Sequence, residues 1–128
     1  MAWTYQTTDE LDVWVESLGP DERIEVAAML DALTKLGPNL GRPVADTLNG
    51  SAYANMKELR GKTSGAVLRV AFAFDPERVA QILCGGDKQG VSQKAFYKKL
   101  IDKADRLFKA HLDALAAKKK KSLKKKGK

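Results

Sequence analysis

The eight-residue run VLRVAFAF, Val67 to Phe74, constrains the fold more than any other part of the chain. It is rich in β-branched and aromatic residues and reads as the core of a strand candidate spanning Ala66 to Phe74. Two further strand candidates flank it, Ala54 to Arg60 and Val79 to Cys84, across the connections GKTSG and DPE. Both connections are short enough for antiparallel hairpins. An antiparallel sheet is therefore the centre of the expected fold.

The remaining elements are read outward from that sheet. WTYQT, Trp3 to Thr7, alternates aromatic and polar residues as a short strand does. Thr7 and Glu10 have capping-box spacing and open a helix to Leu18, with Leu11, Trp14, Val15 and Leu18 as its inner face. Gly19 and Pro20 divide it from a second helix that runs to about Leu36, where Gly37 and Pro38 stop it. Val26, Met29, Leu30 and Leu33 form its buried stripe. NLGRPVADTLNGSAY has no sustained period and reads as a long loop. After GGDKQGVS, Ser92 caps a long final helix with apolar positions at Phe96, Leu100, Ala104, Leu107, Phe108, Leu112 and Leu115. The fold class is α+β, in the order β-α-α-β-β-β-α, with helices packed on one face of a small, mostly antiparallel sheet.

Charge divides the chain sharply. Residues 118–128, KKKKSLKKKGK, hold 8 lysines and no acid, and are expected to be a disordered tail beyond a folded domain of residues 1–117. That domain carries 15 basic and 16 acidic groups, so it is close to neutral. Within it, residues 1–54 have 3 basic and 9 acidic groups, and residues 55–117 have 12 basic and 7 acidic. Such polarity fits a polyanion held on one side. The single cysteine, Cys84, excludes an internal disulfide, and the N-terminus lacks the pattern of a signal peptide. No segment approaches the ~20 apolar residues of a membrane span. A cytoplasmic protein without membrane contact is expected.

The period of two in VLRVAFAF places Leu68, Val70, Phe72 and Phe74 on a core face, opposite Val67, Arg69, Ala71 and Ala73. One arginine among small residues describes an open floor carrying a cation. In MKELRG the same rule sets Leu59 against Glu58 and Arg60, so Arg60 and Arg69 share that face from neighbouring strands. Their planar donor forks suit phosphate oxygens. Lys57, Lys62, Lys88 and Lys94 add cations nearby and are expected to contact a polyanion or assist at the site. A solvated strand face with stray cations would give the same pattern.

The ordered features NMKELR, LRVAFAFDPERVAQILCGGDKQG, FYKKLIDKADRLF and GPNLGRPVADTLNGS resemble the phage-derived branch of the RelE/HigB-like toxins of type II toxin–antitoxin systems. The resemblance runs from about Leu11 to His111. It implies an endoribonuclease that cuts mRNA during translation, usually on the ribosome, and is held inactive by a cognate antitoxin, commonly one with a helix-turn-helix. It implies attack by the 2′-hydroxyl without a metal, and no cofactor. Position by position it assigns Arg60, Arg69 and Lys88 to the site, and Tyr97 as an aromatic near the start of the final helix.

Cleavage through the 2′-hydroxyl needs a proton acceptor, cations for the phosphorane, and help for the departing 5′-oxygen. Arg60 and Arg69 suit the second task. Lys57, Lys88 and Tyr97 are candidates for proton transfer, the lysines because clustered cations lower a lysine's pKa. Tyr97 is equally placed to stack on a base. The only histidine, His111, reads as a helix-surface residue, and Cys84 as a small strand residue. No histidine or cysteine spacing supports a metal. Neither arginine is expected in the core, so alanine at either should leave the fold intact. The competing reading is a non-catalytic nucleic-acid or protein-binding module; a toxin with a target other than translation is a third.

Overall fold

The computed structural model describes residues 2–126. β1 (Tyr5–Thr7) leads into α1 (Asp9–Glu16) and α2 (Pro20–Leu36), and a 3-10 turn follows at Gly37–Asn39. β2 (Ala45–Thr47), β3 (Lys57–Lys62), β4 (Val67–Phe74) and β5 (Ala80–Asp87) precede the 34-residue α3 (Gln93–Lys126). The sheet has five strands in the order β1-β5-β4-β3-β2. β1 runs parallel to β5, and the other neighbours are antiparallel.

Local chemistry sets the element ends. Thr8, one residue later than expected, caps α1: its Oγ1 accepts from Leu11 N at 3.0 Å and donates to Leu83 O at 2.5 Å. Ser92 caps α3 as expected, its Oγ accepting from Ala95 N at 3.2 Å. β2 lies inside the segment expected as loop. Its three residues are too few to show a period, and pairing with β3 through Ala45 opposite Leu59 makes it a strand.

Both sheet faces are covered, which corrects the expectation of an open floor. Leu59, Leu68, Val70, Phe72 and Ile82 pack under Leu11, Val26, Met29 and Leu33 of α1 and α2. On the opposite face, Ala71, Ala73, Leu83 and Cys84 meet Leu100, Ala104 and Phe108 of α3. Small residues on that face admit a closely packed helix. The alternation of β5 is broken once: Ala71 faces Cys84 but Phe72 faces Ile82, so Leu83 is an extra, bulged residue. Leu83 and Cys84 consequently both lie in the cluster under α3. Beyond the bulge, Gly85 turns to Trp14 of α1 and Gly86 to Phe96 of α3; a Cβ on Gly86 would sit 2.9 Å from the Phe96 ring.

α3 continues helical through Lys126, so residues 118–126, expected as a disordered tail, extend the helix; residues 127 and 128 of that expectation lie outside the described residues. Lysine is a good helix former and is favoured near a helix C-terminus. No helix among the described residues is long and apolar enough to cross a membrane.

Candidate functional site

At the N-terminal end of α3 the sheet opens into a cleft of about 610 Å³. Glu58 and Arg60 of β3 line it, with Asp46 and the residues after β2, Lys88 just after β5, and Gln93, Lys94 and Tyr97 of α3. Arg60 and Arg69 share a face, as the alternation implied, and are direct cross-strand partners. Their surroundings differ. The Arg60 side chain is 37% exposed, whereas that of Arg69 is 7% exposed, beneath the first turns of α3.

Arg69 is thus a buried cation, which corrects its placement on an open face. Its Nε donates to Tyr97 Oη at 3.1 Å and lies 3.7 Å from Glu58 Oε1, and its Nη1 donates to Leu68 O at 2.9 Å. Tyr97 Oη in turn donates to Glu58 Oε1 at 2.8 Å. Glu58 is nearly buried and sits between both arginines, with Oε2 4.0 Å from Arg60 Nη1. Arg60 Nη1 also lies 3.6 Å from Asp46 Oδ2, and that oxygen accepts from Arg42 Nε at 3.0 Å. The site is an alternating lattice of three arginines, Arg42, Arg60 and Arg69, and two carboxylates, Asp46 and Glu58. Burial of the Arg69 and Glu58 charges is tolerated because each has a partner.

Two titrations in the lattice are displaced. Burial and the hydrogen bond to Glu58 raise the Tyr97 pKa, partly opposed by Arg69, so Tyr97 remains a phenol at neutral pH. This disfavours the expected role of Tyr97 as a proton acceptor and suits it as a donor. The backbone N–H of Thr47 lowers the Asp46 pKa against a smaller opposing effect of desolvation, with Arg42 and Arg60 adding to the lowering.

The expected lysines separate. Lys88 Nζ lies 5.8 Å from the centroid of the Tyr97 ring and 3.5 Å from Gln93 Oε1. Lys94 also lines the cleft, and among the described residues neither lysine has a carboxylate partner within 4 Å. Lys57, expected at the site, shares the Leu59 side of β3, opposite Arg60, and its Nζ donates to Pro38 O at 3.2 Å. Lys62 shares the Arg60 side of β3 but lies outside the cleft lining.

Asp46, Glu58 and Gln93 were not anticipated. Glu58 had a signal, since it alternates with Leu59 onto the face of Arg60. Asp46 had none, because β2 was invisible. His111 is remote from the cleft but is more than a surface residue: its Nε2 meets buried Asp75 Oδ2 at 2.8 Å. Burial pushes the Cys84 thiol up to about 12, which leaves it an inert core residue.

A family model described as "Phage derived protein Gp49-like (DUF891)" matches residues 13–109. Among curated relatives, Mycobacterium tuberculosis "Putative toxin HigB3" is 44% identical over 96 residues, covering 75% of this chain and 82% of the relative. "Putative toxin HigB2" of the same organism is 37% identical over 113 residues, covering 88% of this chain and 55% of the relative. Among solved structures, a mutant of the E. coli toxin RelE in the free state superposes with a TM-score of 0.59, covering 80% of this chain and 97% of that one. At 14% identity this likeness concerns the fold alone.

Proposed function

Because the chain belongs to the phage-derived Gp49-like family, we propose that it is the toxin of a type II toxin–antitoxin pair, an endoribonuclease that cuts translated mRNA in the cytoplasm. The observation that carries the reading is the convergence of Arg60, Lys88, Lys94 and Tyr97 on one cleft, with Arg69 directly beneath. The 2′-hydroxyl loses its proton and attacks the adjacent phosphorus. The bond to the 5′-oxygen breaks, leaving a 2′,3′-cyclic phosphate and a 5′-hydroxyl once that oxygen gains a proton.

Arg60, accessible from the cleft, holds the phosphate and stabilises charge on the phosphorane. Lys88 and Lys94 bind the flanking phosphates or the departing oxygen. Glu58, within hydrogen-bond distance of the Tyr97 hydroxyl, is the carboxylate placed to receive a proton, and the Tyr97 phenol is the group placed to return one. Arg69 holds Tyr97 and Glu58 in register. A cognate antitoxin, of the helix-turn-helix kind that the sequence resemblance implies, restrains the toxin in the cell.

The alternative is a phosphate-binding module without chemistry. Its support is that both arginines already satisfy carboxylates, so that the lattice holds its shape without RNA. Purified protein added to ribosomes translating a defined message separates the two. The toxin gives new RNA ends within the translated region, absent when Arg60 is alanine; a binding module occupies RNA and leaves it uncut.

A further inference from the structure

The cations of α3 within the body are largely spoken for by acids. Lys98 pairs with Asp102 at 3.2 Å and Lys109 with Asp113 at 2.8 Å, while Lys103 and Arg106 reach Glu10 at 3.7 and 3.1 Å. Asp113 is the last acidic residue in the sequence. Beyond it the same helix runs through seven lysines in positions 118–126, and Lys118 to Lys121 are exposed. The net charge of +7 therefore resides in this terminal extension, since residues 1–117 hold 15 basic and 16 acidic groups.

Lysines three and four apart on a helix repel one another, so an anion that neutralises them stabilises the helix as it binds. An interfacial membrane helix needs an apolar face, and Leu123 is the only large apolar residue between positions 118 and 126. A phosphate backbone needs no such face. Tyr97 and Lys118 lie 21 residues apart on one helix, about 32 Å along its axis. A short RNA strand filling the cleft does not reach the lysines, whereas the surface of a large folded RNA does.

We propose that Lys118 to Lys121, at the far end of α3, are a second, sequence-independent phosphate-binding element that anchors the protein on structured RNA while a single strand enters the cleft. The inference rests on the reading of the cleft as an RNA site, and its test keeps the two apart. The full-length chain is compared with a full-length variant combining Lys118→Gln, Lys119→Gln, Lys120→Gln and Lys121→Gln. Both are titrated, across a salt series, with purified bacterial ribosomes, a short single-stranded oligoribonucleotide and anionic phospholipid vesicles.

The expected result is a loss of ribosome affinity of about 10-fold or more near physiological salt. The dependence of log K on log salt becomes shallower by roughly 0.7 to 0.9 for each phosphate that is no longer neutralised. Oligoribonucleotide binding, dominated by the cleft, falls far less than ribosome binding. Equal ribosome affinity and slope in the two proteins overturns the proposal, and so does a loss confined to vesicles. Wild-type protein that cleaves no RNA but keeps the lysine-dependent slope refutes the nuclease reading alone. Cleavage without that slope refutes the anchor alone.

Discussion

Arg60 and Arg69 are neighbours across two strands, but substitutions at the two positions have different consequences. Arg60→Ala removes a half-exposed side chain with two loose carboxylate partners, so stability should change by less than ~1 kcal/mol while cleavage falls ~10²-fold or more. Arg69→Ala leaves nearly buried Glu58 without its closest cation, and should cost ~3–5 kcal/mol in denaturant unfolding. Adding Glu58→Gln should recover part of that loss; strict additivity would show that the pair is not coupled. Alanine at Arg69 is therefore no clean probe of activity, contrary to the sequence-based expectation. Tyr97→Phe keeps the ring beside Phe96 but removes a donor to Glu58, for a loss of ~1–3 kcal/mol. The raised Tyr97 pKa contributes stability that is complete below the ordinary tyrosine value of 10 and disappears as pH rises through the folded value. Alkaline unfolding of the Phe variant should lack this component. Alternation within MKELRG placed Arg60 with Glu58 on the side opposite Leu59; the same rule sets Lys57 with Leu59, away from the site where it was expected. It did not reveal that Arg69 is covered, because strand alternation says nothing of what packs above a face.

At the scale of elements, the bulge at Leu83 and the glycines after it set where α3 begins relative to the sheet. Gly86 lies across from Arg69 and makes room for Phe96, whose ring meets Tyr97 edge-on at 5.3 Å. Gly86→Ala should shift the first turn of α3 and reduce cleavage several-fold, with a melting temperature close to wild type. Gly85→Ala should instead drive a methyl into Trp14 and lower stability by ~1–3 kcal/mol through overpacking. Unchanged activity in the first variant would disconnect this packing from the site. The helices and the three central strands were legible from period and caps, because each spans enough residues to show one. β2, with three residues, and the bulge, a single insertion into an otherwise regular alternation, depend on tertiary pairing and left no such trace. Small Ala71 and Ala73 were ambiguous by themselves, since an open floor and a tightly packed helix both accept them.

Across the whole molecule, the cleft and the Asp75–His111 pair lie in separate parts of the fold, so stability and activity separate by mutation. Desolvation opposes ionisation of Asp75, but His111 and the backbone N–H groups of Val79 and Glu77 outweigh it and lower its pKa. That contribution is complete above the ordinary value of 3.8 and is lost as pH falls through the folded value. His111→Ala should destabilise the fold by ~1–3 kcal/mol and shift acid unfolding to higher pH, with RNA cleavage retained by the folded fraction. Loss of cleavage in fully folded protein would instead give His111 a part in the chemistry. The most direct test of the central claim is tightly induced expression of wild type and Arg60→Ala in bacteria, with mRNA ends mapped after induction. Wild type should arrest growth with new ends inside translated messages, and the variant should do neither at equal protein level. Arrest with intact mRNA, or new ends that persist without Arg60, would contradict the claim.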